Sequence, residues 1–492
     1  MINDTKYFFY NYLHLIIGNV GYSIVSIISV FLLVKLLSPE GYGIYVLFMS
    51  VASIISVLTM WSSSSIVRYG REEFTSDSSI KKTFWANYTL LIPAFVICFI
   101  LVYIFRGKLS GYIGVSESTC VLLFVYILVS NLATNIPVYF QAMGKMKSFA
   151  YLPLITGVSF MIFLSVMYLW HISAPVDLLI YAAISVYSLA AIVGLALLWK
   201  HITPIRFSWD WAKKCFSFSW PYIFGGIGQS VSQSFGQVAI GLFMAASFAG
   251  IYNIAFILQN YLIMIPMLSI GLMFPLMTSL VVSGDRNKIE QYVKTYVPQI
   301  EFLWVVLVST VILLAREIFS IFGVDYMVGV MPFTILLVGV AFRIIVIIES
   351  PIIVSYGLNK QAVAVSLIMG MMTLGLYYLL IPRLGINGAA IANASAFIFG
   401  AIAYSFISLR WLGLKGYKNF VWFLPVIVSF VGCAMVESLI WRLVYLVVVV
   451  AVSLLVAKKA LVFNMESKSV WETVSMPMQM RRAVNGLYKV MS

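Results

Sequence analysis

The feature that most constrains this chain is its rhythm of long apolar runs, each about the length of a membrane crossing, separated by short segments that carry most of the charge. A spanning helix takes about 20 apolar residues, and in hydrocarbon each backbone N–H and C=O must be satisfied within its own segment, so the runs are read as helices. Composition points the same way. Of 492 residues 62% are hydrophobic and 10% charged, which leaves too little polar surface to clothe a water-soluble domain. The period-two alternation of a lipid-facing barrel strand is absent. The expected fold is an all-α polytopic membrane protein.

Cutting at turn-formers and charge clusters gives fourteen helices, at 10–37, 42–65, 83–105, 118–140, 150–170, 178–199, 219–243, 248–281, 297–322, 328–355, 362–382, 388–409, 419–436 and 439–458. Ser38-Pro39-Glu40-Gly41 and Gly385-Ile386-Asn387-Gly388 are the sharpest turns, since Pro and Gly break a helix and let the chain reverse. The polar stretch Met1 to Tyr7 leads into the first run without a small-residue cleavage site, so that run reads as a span and not as a signal peptide.

A net charge of +14 could suggest nucleic acid, but the basic residues are dispersed through short loops and form no single patch. Their placement is a topological signal. With the N-terminus inside, cytoplasmic segments hold Arg68, Arg71, Lys81 and Lys82; Lys200, Arg206, Lys213 and Lys214; Arg286, Lys288 and Lys294, among others. The opposite side has only Lys35, Arg106, Lys108, Arg316, Arg383 and Arg442. Both termini are therefore expected in the cytoplasm. The tail from Val462, with Arg481 and Arg482, either lies along the anionic leaflet or is disordered. Cys98, Cys120, Cys215 and Cys433 are scattered, and His14, His171 and His201 are far apart, so no metal or other cofactor is expected.

The sequence also repeats itself. At an offset of 207, Gly43-Ile44-Tyr45 falls on Gly250-Ile251-Tyr252, and Ala182-Ala183-Ile184 on Ala389-Ala390-Ile391. Two copies of six helices enter the membrane in the same direction, which makes a parallel repeat with the substrate path between the lobes. The expected division is a first lobe over 1–200, a cytoplasmic linker over 201–218, a second lobe over 219–410, an extra helix pair over 411–461 and a basic tail over 462–492.

Polar residues inside the spans are the candidate site. Gln229, Gln233 and Gln237 recur every four residues and share one helix face; Asn19, Tyr22 and Ser26 lie on a face of the first helix, and the 207 offset places Tyr22 on Gln229 and Ser26 on Gln233. These faces either line a hydrated cavity or glue helices together. Arg343 stands mid-span, where a charge costs about 2.5 to 3.5 kcal/mol, and it either meets an anionic ligand or pairs with Glu301 or Glu349. Lys35 and Arg68 at helix ends either snorkel to headgroups or contact substrate. Asn131, Asn135, Gln259 and Asn260 are further lining candidates, and Arg316-Glu317 reads as an interfacial pair. No P-loop, GxSxG or carboxylate cluster is present, so an enzyme is not expected.

Leu36-Leu37-Ser38-Pro39-Glu40-Gly41-Tyr42-Gly43-Ile44-Tyr45, together with Gly385-Ile386-Asn387-Gly388-Ala389-Ala390-Ile391-Ala392, resembles the polysaccharide transporter branch of the multidrug/oligosaccharidyl-lipid/polysaccharide exporter superfamily, and within it O-antigen flippases of the Wzx type. The resemblance runs from about Phe8 to Val456. It implies a bacterial inner-membrane flippase working by alternating access on a lipid pyrophosphate-linked oligosaccharide, with membrane lipids and other polysaccharide-assembly proteins as partners. It also implies coupling to a proton or sodium gradient, for which Glu301 and Glu349 are the candidates. A multidrug cation antiporter of the same superfamily is the alternative, and a membrane polymerase or glycosyltransferase the third reading.

Overall fold

The structure is a computed structural model and describes residues 2–172, 175–220, 222–413 and 423–459. Its helices are α1 (Ile2–Leu36), α2 (Pro39–Ile55), α3 (Val57–Met60), α4 (Ser62–Asp77), α5 (Lys81–Ile113), α6 (Glu117–Ala142), α7 (Met146–Leu169), α8 (Val176–Ile202), α9 (Trp209–Ser219), α10 (Tyr222–Phe243), α11 (Ala246–Val282), α12 (Arg286–Gln291), α13 (Val297–Leu313), α14 (Ala315–Ser320), α15 (Val330–Ser355), α16 (Asn359–Trp411), α17 (Leu424–Met435) and α18 (Leu439–Lys459). A π turn over Tyr292–Tyr296 leads into α13, and a 3-10 turn over Val324–Gly329 precedes α15. Among the described residues nine helices are long and apolar enough to cross a membrane, or ten if a bent pair counts as one span. The chain is a multi-pass membrane protein.

Two differences from the expected spans have local causes. The helix expected over 42–65 runs on to Asp77 and bends by 48° at Ser56, between α2 and α3. Around the bend side-chain hydroxyls bond back to backbone carbonyls: Ser56 Oγ donates to Ser53 O (2.8 Å), Thr59 Oγ1 to Ser56 O (2.8 Å) and Ser65 Oγ to Ser62 O (2.7 Å). Such bonds compete with the helical ladder and bend it. The 53 residues of α16, in contrast, are two helices joined at Gly385, whose φ of 59° and ψ of −139° are not helical. Asn393 donates to the Tyr377 hydroxyl sixteen residues earlier, atoms that a straight helix would hold about 24 Å apart. Gly388 packs against the Leu380 carbonyl. The chain therefore reverses at the expected Gly-Ile-Asn-Gly turn, and a residue with a β-carbon would be strained at that φ.

By its packing the chain divides into two compact units, Met1–Ile254 and Ala255–Ser492. In the first, α1 lies along α7, α6 along α8, and α10 along α2. The segment expected as a linker contains α9, which docks on α4 and α5 through Ala212, Cys215 and Ser219, spaced to share one face. Glu73 is 1% exposed, and its two carboxylate oxygens accept from the Lys82 and Thr83 amides at 2.8 Å, so it caps the α5 N-terminus, where Ile80 offers no side-chain cap. The repeated Gly-Ile-Tyr segments meet here: a β-carbon on Gly43 would collide with the Ala246 carbonyl, and one on Gly250 would lie 3.0 Å from the Gly43 nitrogen. Small residues permit this backbone contact.

In the second unit α15 packs along α16, and α13 contacts α15, α17 and α18. Arg442 of α18 is 3% exposed and grips Glu317 of α14 with both Nη atoms, Nη1 to Oε2 at 2.7 Å, while Nη1 also donates to Leu313 O at 3.0 Å. The partner of Glu317 is thus Arg442 and not the adjacent Arg316, because neighbours in a helix point to different sides.

Candidate functional site

In the first unit four helices bring tyrosines together: Tyr22 from α1, Tyr45 from α2, Tyr126 from α6 and Tyr187 from α8. The Tyr126 and Tyr187 rings meet edge to face at 5.5 Å, and Tyr22 and Tyr45 lie within electrostatic reach of this pair. Tyr45 is 9% exposed and Tyr22 38% exposed, so the cluster grades from buried to open. Sequence reasoning found Tyr22 and missed the other three. Tyr45 was visible only as part of the repeated Gly-Ile-Tyr, and nothing in the linear order joins Tyr126 to Tyr187.

The remaining candidates of this unit divide by environment. On α1, Asn19 is exposed and Ser26 half-buried. Gln233 on α10 is exposed, Gln229 lies on the same helix, and Gln237 is 3% exposed and bonded to Asn253 at 3.2 Å, whose amide in turn donates to the Tyr42 hydroxyl at 3.0 Å. Gln237 thus joins α10, α11 and α2. Asn131 and Asn135 are buried in a chain of bonds to Ser63 Oγ and Thr59 O. Arg68 on α4 is exposed and stacks on Phe218 at 4.5 Å and Tyr69 at 5.4 Å. Lys35 is exposed at the end of α1, with Nζ 5.5 Å from the Phe31 ring. Next to the α2 bend is an apolar cavity of about 290 Å³, lined by Ile55, Leu58, Leu101, Ile227 and Phe235.

In the second unit the Arg343 guanidinium lies 4.5 Å from the Phe397 ring of α16, a cation–π distance, and makes no ion pair among the described residues. Neither Glu301 nor Glu349 is paired with it. Those carboxylates, 2% and 3% exposed, lie within electrostatic reach of each other. Ser408 Oγ donates to Glu349 Oε2 at 2.8 Å, while Glu301 Oε1 and Glu349 Oε1 have no hydrogen-bond partner. Gln259 on α11 is fully buried with both amide atoms unpartnered, and Asn260 is half-buried. Among the described residues no group of three or more His, Cys, Asp or Glu is placed to hold a metal.

Residues 9–281, more than half of the chain, match the model of a family described as polysaccharide biosynthesis protein. The chain belongs to that family. The chain shares its fold with solved structures over most of its length. Against a lipid II flippase, MurJ, in an inward closed conformation, the TM-score is 0.67 at 14% identity, covering 89% of this chain and 96% of that one. For a multidrug resistance MATE family transporter of the MOP superfamily in an inward-facing conformation, the TM-score is 0.61 at 15% identity, covering 81% and 96%. An outward-facing conformation of such a MATE transporter gives 0.53 at 12% identity, covering 83% and 96%. Comparison with curated proteins finds no match in sequence. The family and the fold therefore agree with the resemblance carried by the two turn segments.

Proposed function

We propose that this chain is a flippase that moves a polyprenyl pyrophosphate-linked oligosaccharide, an O-antigen or similar repeat unit, across the bacterial inner membrane by alternating access. The observation that carries the reading is Arg343, a guanidinium within an apolar span, seated on the Phe397 ring and in no ion pair among the described residues. A cation held there is suited to an anion, and a guanidinium matches pyrophosphate oxygens bidentately. Arg68 and Lys35, both exposed, are the auxiliary cations. Sugar hydroxyls find partners in the Tyr22, Tyr45, Tyr126 and Tyr187 cluster and in Asn19, Ser26, Gln229, Gln233, Gln259 and Asn260, and sugar rings can stack on the tyrosine faces. The apolar cavity at the α2 bend suits part of the prenyl chain. Glu301 and Glu349, each buried with one unpartnered oxygen and in no ion pair among the described residues, are the acceptors for a coupling proton or sodium ion. Two lobes over 1–200 and 219–410, with both termini in the cytoplasm, complete the proposal.

The test is a deletion strain complemented with wild type, Arg343→Ala or Glu349→Gln, scored for surface polysaccharide and for lipid-linked repeat units left in the inner membrane. Wild type restores polymer, and Arg343→Ala lowers export by about tenfold or more, the loss of one charge-assisted hydrogen-bond set, while lipid-linked units accumulate. Unchanged polymer in the deletion strain would overturn the reading and favour the multidrug cation antiporter, to which the tyrosine cluster and the two buried acids are also suited.

A further inference from the structure

A second cation in no ion pair among the described residues borders a cavity of the second unit. Arg316 borders a cavity of about 340 Å³, within the range of small-ligand sites, whose other walls include Met327 and Val328 of the 3-10 turn, Met331 and Thr334 of α15, and Cys433 and Ala434 of α17. The carboxylate nearest in sequence is unavailable, because Arg442 occupies both oxygens of Glu317. Arg316 itself makes no hydrogen bond or ion pair among the described residues. Thr334 Oγ1 donates to Met331 O at 2.9 Å, and Arg316 is the charged side chain among the lining residues.

The surroundings say where a ligand would come from. Val328 of the lining is 58% exposed, and Ile321, Val324 and Met435, close in sequence to the lining residues, are 60%, 87% and 77% exposed, so bare aliphatic side chains are plentiful in these segments of a protein whose solvent is lipid. Water-borne anions would meet an apolar threshold there, whereas an amphiphile could keep its chains on these segments and deliver its headgroup to Arg316. We propose that this cavity binds the phosphate of an anionic membrane lipid, with Arg316 as its counter-ion and the α17 end as one wall. Phosphate is the anion membrane lipids carry, and it matches the guanidinium fork. The site does not depend on what the protein transports.

Native mass spectrometry of the purified full chain tests it, with phosphatidylglycerol, a polyprenyl monophosphate and uncharged diacylglycerol as probes. The wild type is expected to retain a phosphate lipid and not diacylglycerol. Arg316→Gln should lower the bound fraction about tenfold, the value of one charge-assisted contact. Ala434→Phe, which narrows the cavity and leaves the charge in place, should do the same, and Arg316→Lys should bind in between. Displacement of the polyprenyl phosphate by phosphatidylglycerol identifies a bulk phospholipid site; retention against it identifies a site for the prenyl lipid. Equal binding of diacylglycerol, or wild-type retention in both Arg316→Gln and Ala434→Phe, overturns the proposal. If Arg316→Gln melts early, the Arg316→Lys and Ala434→Phe results decide.

Discussion

Arg442 holds its charge almost out of solvent against a Glu317 side chain that is 32% exposed, and for a guanidinium at that depth the pair is worth less than the harm done by halving it. Glu317→Ala strands a guanidinium that is 3% exposed, and the expected loss is about 3–5 kcal/mol, read as a fall in the melting temperature of the purified protein. The double change Glu317→Leu with Arg442→Met should recover most of that loss, which separates stranded charge from lost packing. Single residues were the least legible feature of the chain. Arg316-Glu317 reads as a pair only because the two are adjacent in sequence, and the partner of Arg343 is an aromatic ring 54 positions away, which no charge pattern reveals. Gln237 shares the period of Gln229 and Gln233, yet its amide is spent on Asn253. Helical spacing places a polar group on a face without saying what lies opposite.

At the scale of elements the glycine contact between α2 and α11 is the tightest constraint in the first unit. Gly43→Leu would drive a side chain into the Ala246 carbonyl, a backbone group that cannot rotate away. Destabilisation of at least about 1–3 kcal/mol is expected, seen as a lower yield of monodisperse protein on size exclusion. Gly111→Ala in α5 is the control: nothing lies within 4 Å of its added methyl, and a helical alanine should be neutral or gain about 0.5–1 kcal/mol. Elements were largely readable in advance. The Gly385 reversal stands where the turn residues put it, since glycine's tolerance of positive φ is a local property. The bend at Ser56 was missed because it arises from hydroxyls turning back on their own helix, which apolar periodicity does not register. The linker expectation likewise overlooked α9, an 11-residue helix whose aromatic and basic side chains hid its small buried face.

For the whole molecule, apolar run length was enough to reach an all-helical membrane fold, and the two turn segments led to the family. The distribution of Lys and Arg makes a further prediction about the intact chain. All four native cysteines are buried, so an introduced thiol should report alone. Ser283→Cys should react with an impermeant maleimide only in inverted membranes, and Lys108→Cys only in intact spheroplasts; the opposite pattern would reverse the orientation drawn from the loop charges. The tyrosine cluster and the Arg343 seat were beyond reach at this scale, because each is assembled by packing between distant segments. Assembly also has an order in time. Glu317 leaves the ribosome 125 residues ahead of Arg442, so the acid enters the bilayer before its base exists. Until α18 is made, α14 must keep that carboxylate at the lipid boundary, in water or bound to a proton, and only the arrival of α18 lets it settle. The synthesis of that helix is thus also the moment at which this corner of the protein can close.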